Sequence, residues 1–432
     1  MADEKRKPEP PKIRRLLVLD GSYSLEAIRS RGLEESVTCR DLDGFFEHVW
    51  TVHPFATLVT SEGWTSRYGR PEVHHFAPRH TFVEGKVGRF ALLHRLSALN
   101  FIIGQIGVFV RLARLIHQEK ICVIRSGEAL YMGLFGWALS RLCGIPLVVR
   151  IGANSDKIYE TTGEAIQGRF FRSRKIETIV ERFVLARAEL VAAANLDNLA
   201  FAIANNARPE CSTLFRYGNL IDKRHFAEPT GRADGRMLLR EDGINSKRFL
   251  LYIGRLGRLK HTDDVVRVVA EVRRRGHDVQ GLLVGDGPER IMLEKLALEL
   301  GVQDQVKFCG NRDQQWLARV IPIAAVVVSP ITGRALTEAA LGAAPIVAYD
   351  VDWQSELIRT GETGELVPHR EWRQMTDAVE RLLNSPVYAR AMGDALRKRA
   401  LMMLDPASLN QHEREHYAAL LHRAAHRPQT PP

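Results

Sequence analysis

Several common signatures are missing from this chain of 432 residues, and each absence removes a class of activity. No G-x-x-x-x-G-K-S/T loop is present, which argues against a P-loop NTPase, and no G-x-S-x-G, which removes the elbow of the α/β hydrolases. Cysteine is scarce: Cys39, Cys122, Cys143, Cys211 and Cys309 are scattered, with no C-x-x-C pair and no histidine at ligand spacing. They predict small core side chains in a reducing compartment and no structural zinc. Nothing reaches the roughly 18 consecutive apolar residues of a membrane-spanning helix; the longest candidate, Leu99 to Val110, is interrupted by Asn100 and Gln105. The start, MADEKRKPEPPKIRR, carries charges and prolines where a signal peptide needs an apolar centre, so 1–13 is expected to be a flexible lead-in. Aromatic residues make up 7% and are not interleaved with the basic runs as stacking platforms would be. With no helix-turn-helix, zinc-finger or RRM pattern either, nucleic acid is not the expected partner.

What is there is the composition of a soluble globular protein, 45% hydrophobic and 26% charged, too long for one ordinary core. The formal net charge of +10 implies an attraction to something anionic, a membrane surface or a phosphorylated substrate. Strand-like and helix-like segments alternate throughout: Arg14–Asp20, Thr51–Thr60, Lys120–Ile124, Pro146–Ile151 and Leu190–Ala194 as strands in the first half, with helices at 131–143 and 176–187 between. That rhythm predicts a parallel sheet wrapped by helices. Around Ala227 to Glu241 the periodicity fades. The expected organisation is therefore a first domain at 14–230, a linker at 231–247, a second domain at 248–405, and a C-terminal helix and tail at 406–432 that crosses back to the first domain.

Two stretches of the first half leave alternatives open. Glu72 to Phe82 holds His74, His75 and His80, at a spacing that fits no common metal site and beside Pro78, so a surface loop is expected. From Glu84 to Lys120 runs a long helical segment with Lys86, Arg89, Arg95, Arg111, Arg114 and Lys120. It is either a core helix with a solvated basic rim or an amphipathic surface for anionic lipid, with Phe90, Phe101 and Phe109 as apolar contacts. The basic cluster Arg169, Arg172, Arg174 and Lys175, beside Phe170 and Phe171, favours the second.

The second half carries clearer signals. Three successive strand ends, after Ile253, Val284 and Cys309, lead into Gly-rich polar loops. The first of these loops also holds Arg255 and Lys260, which together can reach one anion, Arg as a fork and Lys as a point charge. Glu338 lies one turn into a short helix, Arg334 to Leu341, filled otherwise with Ala and Leu, where packing asks for no carboxylate. Gly285-x-Gly287 lacks the third glycine and the acid of a dinucleotide fingerprint.

These residues resemble the retaining, nucleotide-sugar-dependent glycosyltransferases of family four. The likeness rests on G-R-L-x-x-x-K at Gly254 to Lys260, V-G-D-G-P at Val284 to Pro288, V-K-F-C-G at Val306 to Gly310, T-E-A-A-L-G-A-A-P-I-V-A at Thr337 to Ala348 and G-E-T-G-E-L-V at Gly361 to Val367. It implies the GT-B fold, α/β with two Rossmann-like domains facing a cleft. By position, Arg255 and Lys260 resemble the pair that neutralises the donor diphosphate, and Glu338 the acid that holds the nucleotide ribose. Gly254, Gly285, Gly333, Arg334 and Ala335 fall where the family's backbone approaches phosphates and sugar, and Asn311 and Arg312 near the base. No cofactor and no metal are implied, because basic side chains and helix ends would do the charge work. Two departures stand out. Pro330 occupies the position of the family's first signature acid, which contacts the transferred sugar. The usual acceptor-domain histidine is replaced around Arg125 to Glu128, leaving Gly21, Glu128, Asn154 and Asp156 as acceptor-side candidates.

The expected activity is sugar transfer from a UDP- or GDP-sugar to an acceptor hydroxyl, with a lipid-linked or cell-envelope glycan as acceptor. The expected place is the cytoplasm, peripheral on the inner face of an anionic membrane. Pro330 keeps two other readings open, a non-catalytic sugar-nucleotide-binding protein and an NDP-sugar epimerase or hydrolase on the same fold.

Overall fold

The computed structural model of the protein describes residues 13–30, 32–58, 67–229, 232–244 and 247–426, so the expected lead-in lies outside them apart from Ile13. The chain forms two compact units, one of 1–30, 34–219 and 406–432, the other of 31–33 and 220–405.

The first unit is built on eight strands: β1 (Arg15–Leu19), β2 (His48–His53), β3 (Glu72–Ala77), β4 (His80–Glu84), β5 (Val123–Ser126), β6 (Leu147–Ile151), β7 (Leu190–Ala193) and β8 (Ser212–Leu214). Their order is β3-β4-β2-β1-β5-β6-β7-β8, parallel except for β3. The central strands read RLLVL and LVVRI and are almost wholly buried, as strands covered by helices on both faces must be. Contrary to the loop expected at 72–82, that segment is a hairpin. Pro78 and Arg79 form its turn, and β4 is held by parallel pairing to β2, which no local pattern announces. His80 is buried with Asp41 at 3.8 Å.

The long helical segment expected from Glu84 to Lys120 breaks into three pieces: the end of β4, a 3-10 turn at Ala91–Leu96, and the helix Ser97–Gln118. This helix is oriented by its polar residues. Asn100 accepts from the amides of Arg89 and Phe90 at 2.7 and 2.9 Å, and Gln105 donates to the Pro54 carbonyl at 3.1 Å and accepts from the Tyr131 hydroxyl at 2.9 Å. Both are buried, with Val108, Leu112 and Ile116 on the same face. Phe101 and Phe109 pack inward too, Phe101 against Phe55, Tyr131 and Phe170, so of the three expected lipid contacts only Phe90 is exposed.

The helix Pro406–Ala425 belongs to this unit. Its Glu413, 2% exposed, accepts from Asn219 at 2.8 Å and lies 3.5 and 3.9 Å from Arg150 and Arg125, while Tyr417 packs on Phe46 and Phe215. Two buried guanidinium groups converging on one carboxylate make this contact strongly dependent on Glu413, since stranding either cation costs about 3–5 kcal/mol.

The second unit has β9 (Phe249–Ile253), β10 (Gln280–Val284), β11 (Val306–Gly310), β12 (Val326–Ser329), β13 (Ile346–Tyr349) and β14 (Glu365–Val367). They run parallel in the order β11-β10-β9-β12-β13-β14. One correction concerns the linker placed at 231–247. Residues Arg232–Glu241 form a helix inside the second unit, and the boundary between units falls at Asn219. The helix is fixed by distant partners: Leu239 is buried in the core, Gly235 packs on the Arg319 carbonyl, and Asp242 accepts from the Trp316 indole at 3.0 Å.

Candidate functional site

In the second sheet the chain leaves β9 toward β10 and β11, then returns to place β12 on the other side of β9. The loops after β9 and β12 are therefore neighbours at the carboxyl edge, at the point where strand order reverses and open parallel sheets bind ligands. The structure brings Arg255 and Lys260, on the first loop, to the same edge as Gly333, Arg334 and Glu338, on the second.

The loop after β9 is held against its neighbours by backbone contacts. The Gly254 amide donates to the Val284 carbonyl at 2.9 Å and the Leu256 amide to the Asp286 carbonyl at 3.1 Å. The Gly285 amide donates to the Gly310 carbonyl at 2.8 Å. Gly285 has φ of +129°, and a Cβ on it would lie 1.9 Å from the Gly254 carbonyl oxygen, so only glycine fits. Tyr252, buried, donates its hydroxyl to the Arg255 carbonyl at 3.0 Å and fixes the start of the loop.

Arg255 is exposed and forms no ion pair among the described residues. Lys260 is half-buried; burial lowers its pKa, and the field of Asp352 opposes that shift. The ammonium is thus held where losing water disfavours its charge and where an incoming anion would restore it. Across the strand boundary, no side chain caps the helix Arg334–Leu341, which begins after Gly333, so its first amides are available to an anion. Glu338 is 3% exposed and faces Arg334 at 3.4 Å. Pro330 is buried, and its carbonyl accepts from the Tyr349 amide at 3.3 Å and the Gln354 side chain at 2.8 Å. Asn311 and Arg312 follow β11; Asn311 is exposed, while the Arg312 guanidinium is engaged with Asp242 at 3.0 Å and stacks over Trp316.

Below this edge lies a network absent from the sequence reading. His261 meets His369 with their Nε2 atoms 3.0 Å apart, and burial together with His369 lowers the His261 pKa to about 4. Among the described residues His261, Asp263 and Asp264 are the one group whose ligand atoms could surround a metal, all within 4.8 Å of one another. Both carboxylates are already occupied. Asp263 and Asp264 pair with Arg267, and Asp264 also accepts from the Tyr349 hydroxyl at 2.6 Å. That makes a packed ionic cluster and not an open coordination site.

The first sheet has the same device. Its order reverses between β1 and β5, and there the loops carrying Gly21 and Glu128 meet, with the Gly127 amide donating to the Leu19 carbonyl at 2.8 Å. A cavity of about 690 Å³ opens at this place, lined by Gly21, Glu128, Phe55, Met132, Phe170 and Tyr217 among others. Glu128 accepts from the amides of Leu130 and Met132 at the start of the helix Tyr131–Cys143, yet burial outweighs these bonds and pushes its pKa up to about 7. Asn154 and Asp156 are not brought into this cavity. Asn154 caps the helix Ser155–Thr162 and donates to Asp197 at 3.1 Å, and Asp156 pairs with Arg174 at 2.7 Å. Arg174 itself is buried against Asp156, Glu177 and Glu181, which removes it from the basic surface cluster expected around it. Sequence reasoning also passed over Asp20 and Glu181 in the cavity wall. For Asp20, burial alone would raise the carboxyl, but Arg40 and Ser22 hold it well below the usual carboxylate range. The signal for Glu181 was the spacing of Arg174, Glu177 and Glu181 along one helix face.

Residues 239–399 match the sequence model of the family described as glycosyl transferases group 1. Over that stretch the chain resembles the group 1 glycosyltransferases, and the protein is a glycosyltransferase. Among curated proteins this glycosyltransferase is similar to an alpha-D-kanosaminyltransferase of Streptomyces kanamyceticus, 29% identical over 62% of this chain and 68% of the relative. It is also similar to a GDP-mannose-dependent alpha-(1-6)-phosphatidylinositol monomannoside mannosyltransferase of Mycolicibacterium smegmatis, 31% identical over 42% of this chain and 50% of the relative. Among solved structures, Anabaena HepE in complex with UDP and glucose superposes with a TM-score of 0.72, covering 94% of this chain and all of that one (100%) at 18% identity. At that identity the likeness bears on the fold alone, and it is the GT-B class with two Rossmann-like domains that the motifs implied.

Proposed function

We propose that this glycosyltransferase moves a sugar from a UDP- or GDP-sugar to an acceptor hydroxyl with retention at the anomeric carbon, in lipid-linked or cell-envelope glycan synthesis. The observation that carries the reading is the convergence of Lys260, Arg255 and the uncapped helix after Gly333 on the reversal point of one parallel sheet. In the transfer, the bond from the anomeric carbon to the β-phosphate oxygen breaks, a bond to the acceptor oxygen forms, and the acceptor hydroxyl releases its proton to solvent. The departing nucleoside diphosphate gains negative charge as this happens. Arg255 and Lys260, with the amides of Gly333, Arg334 and Ala335, stabilise that charge where it develops, and such fixed donors make metal unnecessary for this task. Gly254 and Gly285 leave room for the phosphates, Glu338 accepts from the ribose hydroxyls, and Asn311 with the backbone at Arg312 borders the base. Gly21 and Glu128, in the cavity of the first unit, serve the acceptor.

Both donor bases stay in view because one relative is named for GDP-mannose and HepE was crystallised with UDP. The lipid-linked acceptor draws support from the phosphatidylinositol mannoside of the same relative and from the aromatic lining of the cavity, with Phe55, Phe170 and Tyr217. The test is nucleotide release from a panel of UDP- and GDP-sugars, with and without a membrane extract, followed by NMR of the anomeric proton in the product. Release that requires extract and yields the donor's own anomeric configuration is expected. Inversion would refute retention, and release without any extract would point to hydrolysis.

A further inference from the structure

The helix Ser97–Gln118 is turned inside out for a soluble protein. Its polar residues Asn100 and Gln105 are buried and bonded to backbone or Tyr131, whereas Leu99, Ile102, Ile106 and Val110 are 50%, 53%, 58% and 40% exposed. Leu99, Ile106 and Val110 share one face, and Leu92 and Leu96, 94% and 56% exposed, continue the apolar surface through the preceding 3-10 turn. A contiguous face of large aliphatic side chains in water marks an interaction surface.

The charge around that face selects the occupant. Between Glu84 and Glu119 there is no acidic residue, while Arg89, Arg95, Arg111 and Arg114 are present; Lys86 is buried and paired with Glu72 at 2.6 Å. The two flanking acids are engaged within the fold, Glu84 accepting from the Leu25 amide at 2.8 Å and Glu119 pairing with Arg15 at 2.9 Å. Beside the apolar face lies a groove of about 660 Å³ in which Arg70, Arg89, Arg111 and Arg114 stand next to Phe90 and Ile106. A second copy of the chain would set cations against cations there. An anionic headgroup layer over an acyl interior matches both components at once.

We propose that the face formed by Leu92, Leu96, Leu99, Ile102, Ile106 and Val110, flanked by Arg95, Arg111 and Arg114, docks the protein on the surface of an anionic lipid bilayer. The helix lies in the interface and does not span it, because its opposite face is committed to the core through Val108, Leu112 and Ile116. Phe101, on that inner side, packs on Phe170, which also lines the cavity beside Glu128, so the bilayer meets the protein next to the cavity assigned to the acceptor. This docking stands on the helix alone and goes beyond the transfer reaction.

The test is co-sedimentation of the full chain, without substrates, with vesicles of phosphatidylcholine alone and of phosphatidylcholine mixed equally with phosphatidylglycerol. Binding only to the mixed vesicles, weakening as salt is raised, is expected. Substituting Arg95→Gln with Arg114→Gln should weaken binding about fivefold per charge, the equivalent of about 1 kcal/mol for each basic residue at an anionic surface. The pair Leu99→Gln with Ile106→Gln, both at exposed positions, should weaken it at least as much while leaving the thermal unfolding midpoint unchanged. Equal binding to both vesicle types, no binding to either, or a dimer that the Leu99/Ile106 pair dissociates would each overturn the proposal. Because no sugar is transferred in this experiment, its outcome is independent of the enzymatic reading.

Discussion

Replacing Lys260 by methionine separates binding from stability. The side chain is half-buried, and burial lowers its pKa against the opposing field of Asp352. In the empty protein the ammonium is therefore an unfavourable charge, whereas beside a diphosphate it is a charge-assisted donor. Hydrogen bonds to charged groups contribute about 1.5–3 kcal/mol net, so the methionine variant should bind a nucleoside diphosphate roughly 10- to 150-fold more weakly. Its unfolding midpoint without ligand should stay level or rise, since methionine keeps the stem and removes the desolvated charge. Calorimetric titration with UDP and GDP, and thermal unfolding of the empty protein, read the two effects. Arg258→Gln in the same loop, an exposed position, is the control and should change affinity by less than about twofold. The pH dependence has a definite sign: wild-type affinity falls as pH rises through the lowered Lys260 pKa, because the neutral amine no longer attracts phosphate, and this limb is missing from the variant. Unchanged affinity, or a loss of affinity matched by a loss of stability, would refute the role.

The other predictions address the remaining parts of the two sites. Glu338→Gln should reduce nucleoside diphosphate affinity about tenfold, in line with one charged hydrogen bond, while inorganic pyrophosphate binds as before; equal losses for both ligands would remove Glu338 from the ribose. Gly285→Ala should lower the unfolding free energy by about 3 kcal/mol, from the strained φ and the forced contact with the Gly254 carbonyl, and an unmoved urea midpoint would contradict the stacking of these loops. For Glu128, whose carboxyl titrates near pH 7 through burial, kcat/KM for the acceptor should fall as pH drops below about 7. Glu128→Gln keeps an acceptor for the helix amides and should abolish that limb; a profile identical to wild type would assign it elsewhere.

What the sequence revealed was local. Gly254 to Lys260, Gly285 to Pro288 and the helix Arg334–Leu341 could be read because a strand end, a glycine requirement and a helix start leave their marks within a few residues. Pairing and burial at long range leave no such mark. The strand His80–Glu84 exists because β2 offers it an edge, so a histidine-rich stretch with a proline looked like a loop. The helix Arg232–Glu241 contains Gly235, which lowers its propensity, but that glycine is what lets it approach the Arg319 carbonyl. Residue type also misled. Arg174, read as surface charge, lies buried among three carboxylates, and Asn100 and Gln105, read as interruptions of an apolar run, turned out to face the core. Phe101 and Phe109 follow them inward, leaving the aliphatic residues to face water.

The two reversal points show how one backbone device takes two chemistries. At the second, exposed Arg255, half-buried Lys260 and an uncapped helix end stand together; at the first, the carboxylates of Glu128, Asp20 and Glu181 stand among aromatic side chains, with Arg150 and Arg169 also in the cavity wall. The arginines of the first unit that approach its sheet are consumed by ion pairs, Arg40 with Asp20, Arg150 with Glu413, Arg174 with Glu181. Others, among them Arg95, Arg111 and Arg114, are exposed along the helix Ser97–Gln118 and the turn before it. On the two proposed readings, the net +10 that looked like one attraction divides into two separate demands, a diphosphate at Lys260 and an anionic surface at Arg114. At fixed ionic strength, pyrophosphate should therefore compete with a nucleoside diphosphate at Lys260 and leave binding to anionic vesicles unchanged; release from the vesicles would show one demand where two are argued.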